Sequence, residues 1–220
     1  MSITHPAHFD SAKAASGASA SEAVAGIVAI VLTILGLAHV SPAFLMAVAT
    51  IAVGVALISH GGMVATEYAT LVSQPDETRP AAADLGGSAA WSLELLAGAA
   101  GIVLGILALL QVASMDLMAI AAIAFGGALV FSSGSSAQFN LMRLTTVGLG
   151  QQAQRLAASM LSGSVAIQAV AGLAAVVLGI LALAGFSSMT LILTALLTLG
   201  AFIFMNGSTL TGAMLMTFDR

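Results

Sequence analysis

Long apolar stretches alternate with short polar breaks along this chain, and the same pattern occurs three times. Residues 26–35 align with residues 98–107, which lie 72 positions later, and with residues 172–181, a further 74 positions along. The alignment continues without a gap through a polar break and into a second apolar run. Three glycines fall into register there: Gly54, Gly126 and Gly200. A repeat of near-constant period indicates one supersecondary unit used several times, and here the unit is predicted to be a hairpin of two apolar helices.

Six apolar stretches have about the length of a membrane crossing. They cover residues 23–40, 43–62, 95–113, 117–135, 165–186 and 189–207. An α-helix rises about 1.5 Å per residue and crosses the hydrocarbon layer in about 20 residues. Because lipid offers no hydrogen bonds to an exposed backbone, these stretches must be helices rather than strands. The predicted fold is an all-α polytopic membrane protein with three tandem helical-hairpin repeats in a pseudo-threefold arrangement.

Composition agrees with a membrane protein and narrows the function classes. Hydrophobic residues make up 60% of the chain and charged residues 6%, against about 45–50% and about 25% in soluble domains. The lipid bilayer is the predicted partner, whereas nucleic acid is excluded because the chain has no basic run. There is no cysteine, and the sequence has no HExxH, Walker or GxSxG motif. We therefore expect a protein that is not an enzyme and holds no cofactor or metal.

The repeats also set the predicted domain boundaries. A flexible N-terminal tail covers 1–21, hairpin repeats cover 22–74, 94–146 and 168–220, and connections cover 75–93 and 147–167. The tail lacks the basic start and short apolar core of a signal peptide, so the first apolar stretch is expected to be retained. The even-numbered helices are expected to continue past the membrane over 63–72, 137–144 and 210–218.

The basic residues predict the orientation in the membrane. With six crossings, all five fall on one side: Lys13, Arg79, Arg143, Arg155 and Arg220. The turns within the hairpins, near residues 41–42, 114–115 and 187–188, carry none. The positive-inside rule then puts both termini and both long connections in the cytoplasm.

The first helix of every repeat carries a stripe of small residues. Its members are Gly26, Ala29 and Thr33, then Gly98, Gly101 and Gly105, then Gly172, Ala175 and Gly179. The last two members in each repeat are four apart and share a helix face. Small residues at this spacing let membrane helices approach closely. Two uses stay open: packing of the hairpins within one chain, and a contact face with further copies (a homo-oligomer) or with other membrane-complex subunits.

Aligning the repeats also brings polar residues into equivalent places. Glu22, Glu94 and Gln168 share one repeat position, and His60, Ser132 and Asn206 share another. Together they predict a polar ring at the cytoplasmic helix ends. Polar groups inside a membrane favour a function in proton or ion handling. The alternative is capping of helix ends and solvation at the membrane interface, which is also our interpretation of His39 and Asp116.

The first hairpin resembles a known family. Gly26, Gly36, the turn at Ser41 and Pro42, and Gly54 resemble the glycine-rich repeat of the HdeD-like acid-resistance membrane proteins. Repeats two and three match without the proline, at Gly101, Gly105, Ser114, Gly126, Gly179, Ser188 and Gly200. The resemblance covers the six spans. It implies a polytopic inner-membrane protein associated with acid tolerance and transfers no catalytic residues.

Three functions stay open from the sequence. The first is a non-enzymatic scaffold, an assembly or anchoring subunit that packs with itself or with other membrane proteins. The second is stress-related membrane protection, which the resemblance implies. The third is a proton or small-solute conduit that uses Glu22, Glu94 and His60.

Overall fold

In the computed structural model the described residues form six long helices. They are α1 (Ala7–Leu37), α2 (Pro42–Val72), α3 (Ala81–Leu109), α4 (Ser114–Thr146), α5 (Gln151–Leu183) and α6 (Ser188–Phe218). The structure describes the backbone of residues 7–72, 81–112, 114–146 and 151–218. It describes the side chains of residues 20–62, 65, 92–112, 115–134, 163 and 165–208.

Every helix contains a segment long and apolar enough to cross a membrane. These segments are Ala20–Leu37, Pro42–Gly62, Ser92–Leu109, Met115–Gly134, Val165–Leu183 and Ser188–Ser208. Each lies within a few residues of its predicted position, so the prediction of an all-α protein with six membrane-spanning helices is confirmed. The outward faces of the helices expose large apolar side chains such as Leu96, Phe131 and Val170. This surface contacts the lipid bilayer.

The helices extend further than the crossings at the end where the termini lie. As predicted, α2, α4 and α6 run on past the apolar segments, to Val72, Thr146 and Phe218. The odd-numbered helices differ from the prediction, because α1 begins at Ala7, inside the expected N-terminal tail of 1–21. Similarly, α3 and α5 begin inside the connections expected at 75–93 and 147–167. These early segments are rich in alanine, the residue with the highest helix propensity.

The six helices form a closed ring in chain order, and the even-numbered helices lie toward its centre. Each helix contacts the next along the chain, and α1 contacts α6. The helices α2, α4 and α6 also contact one another, so they form the centre of the bundle. These three helices carry triplets of buried residues at equivalent repeat positions. They are Leu57, Leu129 and Ile203; Val53, Phe125 and Leu199; Thr50, Ala122 and Leu196; and Met46, Met118 and Ile192.

Glycine pairs form three of the contacts between neighbouring helices. The pairs are Gly54 with Gly98, Gly126 with Gly172, and Gly200 with Gly26, which join α2 to α3, α4 to α5 and α6 to α1. A Cβ atom added to Gly98 would lie 2.6 Å from the carbonyl oxygen of Gly54, and one added to Gly54 would lie 2.7 Å from that of Gly98. Only glycine allows the two backbones to approach this closely, and the same two repeat positions are used at all three crossings.

The small-residue stripe lies inside the bundle. All nine residues are buried: Gly26, Ala29, Thr33, Gly98, Gly101, Gly105, Gly172, Ala175 and Gly179. A Cβ atom on Gly105 would lie 2.6 Å from Ile51, and one on Gly179 would lie 2.6 Å from Ile123. These contacts are within one chain, so the stripe packs the hairpins against each other.

The three hairpin turns lie at the end of the bundle opposite the termini, and they terminate α1, α3 and α5 in the same way. The amides of His39 and Val40 bond the carbonyls of Gly36 and Leu35, a Schellman motif with a left-handed residue at its fifth position. The bonds recur after α3 and α5. The left-handed residues of the first, second and third turns are His39 (φ 64°), Gln111 (φ 62°) and Gly185 (φ 86°), respectively. Only the third turn uses glycine, the residue that adopts this conformation without strain.

Candidate functional site

Six polar side chains, one from each helix, meet at the end of the bundle opposite the hairpin turns. They are Glu22, His60, Glu94, Ser132, Gln168 and Asn206, which we call the polar cluster. Their placement follows from the glycine crossings. Glu22, Glu94 and Gln168 each lie four residues before the crossing glycine of an odd-numbered helix, and the other three lie six residues after that of an even-numbered helix. Each crossing therefore brings one residue of each kind together.

Three contacts in the polar cluster correspond to the three crossings. The Gln168 amide donates to the Ser132 hydroxyl at 2.7 Å between α5 and α4. The Asn206 amide donates to Glu22 Oε1 at 3.2 Å between α6 and α1. His60 Nε2 lies 3.8 Å from Glu94 Oε2 between α2 and α3.

His60 connects two of these pairs. Its second ring nitrogen, Nδ1, lies 3.2 Å from Glu22 Oε1, so the imidazole stands between two carboxylates from different helices. The amide nitrogen of Asn206 lies 3.2 Å from the same Nδ1. Ser132 also hydrogen-bonds the Glu94 carboxylate. All six residues of the polar cluster thus belong to one connected network.

The carboxylates of the polar cluster are deeply buried. Glu22 and Glu94 are each 1% exposed, whereas the His60 side chain is 18% exposed. Among the described residues, Glu22 Oε2 and Glu94 Oε1 are buried oxygens without a hydrogen-bond partner. Burying a polar atom without a partner costs about 1–3 kcal/mol, and more for a charged one. These two buried oxygens therefore lower the stability of the fold.

The charge of the polar cluster depends on its protons. Two ionised carboxylates and a neutral imidazole carry a formal charge of −2, which becomes −1 when His60 is protonated. Imidazole changes charge between about pH 5 and 8 in its ordinary environment. When His60 is protonated, its two N–H groups face Glu22 and Glu94. The arrangement suits reversible proton binding. Within the described side chains, no group of three or more His, Cys, Asp or Glu residues is placed to hold a metal ion.

The other candidate residues lie apart from the polar cluster. His39 is exposed in the turn after α1, and Asp116 is exposed in the first turn of α4, where an acidic side chain stabilises a helix N-terminus. The five basic side chains on which the orientation depends lie outside the described side chains, so both cytoplasmic termini stay a prediction.

The repeat alignment does not identify the buried hydroxyl of Thr50 in the core. The Thr50 hydroxyl donates to the Met46 carbonyl at 2.9 Å and lies 3.2 Å from Met118 Sδ. The equivalent repeat positions hold Ala122 and Leu196. Because both equivalent residues are apolar, the repeat alignment could not predict the contact of Thr50 with Met118.

The fold and the six crossings define a multi-pass integral membrane protein. The chain matches no protein-family model, no curated protein and no solved structure. The HdeD-like resemblance therefore stays a prediction.

Proposed function

We propose that this chain is a non-enzymatic, proton-responsive membrane protein. Protons bind reversibly at Glu22, His60 and Glu94, at the end of the bundle that the basic residues assign to the cytoplasm. The observation that carries the proposal is the position of His60, whose two ring nitrogens each face a buried carboxylate from another helix. Acidification places protons on a cluster whose burial disfavours negative charge, and the protein responds through the three helices that supply these groups.

The packing beneath the polar cluster favours proton binding over conduction. One turn below the cluster, the three central helices carry the buried apolar residues Leu57, Leu129 and Ile203. Buried triplets continue from there to Met46, a distance of about 16 Å along the helix axis. Thr50 supplies the only hydroxyl in these triplets, and it bonds Met46 and contacts Met118. A proton crossing the bilayer would need a chain of polar groups, and these triplets do not supply one.

The test measures proton uptake by the whole chain in lipid nanodiscs. Infrared difference spectra between neutral and acidic pH report carboxylate protonation. We expect a signal in the wild type that changes in Glu22→Gln and in Glu94→Gln. Asp116→Asn is the matched control, since it removes an exposed carboxylate from the other end of the bundle. Difference spectra of the two glutamine variants that equal the wild-type spectrum would refute the proposal.

Flux across vesicles separates the proposed function from the conduit that the sequence leaves open. Protein in liposomes with a pH-sensitive dye inside is given a pH step outside. We expect the internal pH to change no faster than in protein-free liposomes. A faster change of internal pH in the wild type, abolished in the double variant Glu22→Gln/Glu94→Gln, would establish a conduit instead.

Three finer points stay predictions. They are the inner membrane as location, association with further copies or other subunits as a scaffold, and the role in acid tolerance that the resemblance implies. A pseudo-threefold arrangement of the three hairpins is part of the proposal. It is supported by the three glycine crossings at equivalent repeat positions.

A further inference from the structure

We infer that Asn206 makes His60 a two-position switch. Neutral His60 accepts a hydrogen bond at Nδ1 from the Asn206 amide, and protonated His60 donates from Nδ1 to Glu22. The inference rests on the proposed function and concerns the regulation of the same site. It assigns Asn206 a positioning role, because this residue acts through His60.

Three atoms from three helices carry the inference. His60 Nδ1, Glu22 Oε1 and Asn206 Nδ2 lie pairwise 3.2 Å apart. An ionised carboxylate oxygen can only accept hydrogen bonds, and an amide nitrogen can only donate them. The carboxylate of Glu22 also fixes the orientation of the Asn206 amide, since the amide oxygen in the same place would face another acceptor.

The role of His60 Nδ1 is not fixed by its neighbours. As an unprotonated nitrogen it accepts from Asn206 but turns its lone pair toward the Glu22 carboxylate. As an N–H group it donates to Glu22 but faces the amide hydrogens of Asn206. It cannot satisfy both neighbours at once, so the imidazole has two alternative arrangements that differ in charge. In the neutral arrangement the ring proton is on Nε2, on the side of Glu94.

The switch connects proton binding to a particular helix contact. Glu22 is on α1 and Asn206 is on α6, the two helices that close the ring at Gly26 and Gly200. Protonation moves the hydrogen bond of His60 from α6 to α1. The titratable groups that face His60 within the polar cluster are Glu22 and Glu94. The cluster members on α4, α5 and α6 are uncharged.

Nitrogen NMR of the full chain in lipid nanodiscs tests the inference. The ¹⁵N shifts of imidazole distinguish the charged form and the two neutral tautomers. The chain has four histidines, and His60→Gln identifies the signal of interest. In the wild type at alkaline pH we expect the proton on Nε2. In Asn206→Leu we expect the preferred tautomer to reverse to Nδ1–H. Without the Asn206 amide, Nδ1 faces Glu22 Oε1 at 3.2 Å, which is closer than Glu94 Oε2 is to Nε2, at 3.8 Å.

Ser132→Ala is the control variant, since it alters the polar cluster but keeps Asn206; the tautomer of His60 should stay as in the wild type. A wild-type Nδ1–H tautomer, or an unchanged tautomer in Asn206→Leu, overturns the switch but leaves the proposed function standing. A His60 whose charge is constant from acidic to alkaline pH overturns the switch, whereas unchanged infrared difference spectra in Glu22→Gln and Glu94→Gln overturn the proposed function. If Asn206→Leu does not fold, the wild-type tautomer decides.

Discussion

The adjacent glycines Gly126 and Gly127 of α4 offer a test of the helix crossings. A Cβ atom added to Gly126 would overlap the Gly172 carbonyl oxygen and lie 2.9 Å from the backbone nitrogen and from Cγ2 of Val176. A Cβ atom added to Gly127 would meet nothing within 4 Å. The two substitutions add the same methyl group to the same helix, and only one of them forces α4 and α5 apart.

The expected magnitudes follow from these distances. Carbon contacts are optimal at about 3.5–4.0 Å, so Gly126→Ala must separate the two helices by about 1 Å at the crossing. Overpacking of this kind costs about 1–3 kcal/mol. Gly127→Ala should be neutral or stabilising by up to about 1 kcal/mol, because alanine is the better helix former. We expect a difference of about 2 kcal/mol between the variants, or about 30-fold in the folding equilibrium.

Reversible unfolding in mixed micelles with a rising fraction of SDS, followed by circular dichroism, measures both free energies. Gly200→Ala serves as an intermediate case. Its added Cβ would lie 3.1 Å from the Ala29 side chain and 3.3 Å from the nearest backbone atom, so its cost should be smaller than that of Gly126→Ala. Equal stabilities for Gly126→Ala and Gly127→Ala would refute the account of the glycine crossings.

Three further outcomes follow from the described contacts. Gln111→Gly should stabilise the protein by about 1 kcal/mol in the same unfolding assay, because a left-handed conformation strains a residue with a side chain. Gly185→Ala should destabilise the protein for the same reason. No gain in stability for Gln111→Gly would contradict the strain assigned to the left-handed position of the turn. Ser132→Ala should cost about 1–3 kcal/mol because the buried Gln168 amide loses its partner. The double variant Ser132→Ala/Gln168→Leu should recover part of that loss, and an additive loss would contradict the pairing. Thr50→Val should change stability by less than about 1 kcal/mol, because its hydroxyl bonds a carbonyl of its own helix; a larger loss would show that the Met118 contact matters.

The sequence predicts the membrane-spanning part of the fold well, and the reason is the repeat. The offset between a crossing glycine and a polar residue is the same in all three repeats, so the alignment groups Glu22 with Glu94 and His60 with Ser132 before any contact is known. The lengths of the apolar runs predict the crossings because the bilayer sets the length of a helix.

The pairing within the polar cluster could not be predicted in the same way. Periodicity places a residue on a helix face, but it does not say that α1 closes the ring against α6. That closure brings Asn206 to Glu22, and the same side chain reaches His60. The early starts of α1, α3 and α5 were also missed, since a polar segment rich in alanine carries no hydrophobic period although its helix propensity is high.

Closure of the ring by its first and last helices has a consequence for biosynthesis. Glu22 and Asn206 are separated by 184 positions. At a translation rate of about 5–20 residues per second, Asn206 is made about 10–40 s after Glu22. Throughout that interval α1 stands in the membrane with its Gly26 face uncovered and its glutamate lacking the amide that bonds it in the finished protein. The nascent chain therefore depends on lipid, water at the interface or the insertion machinery to shield this face until the last helix arrives.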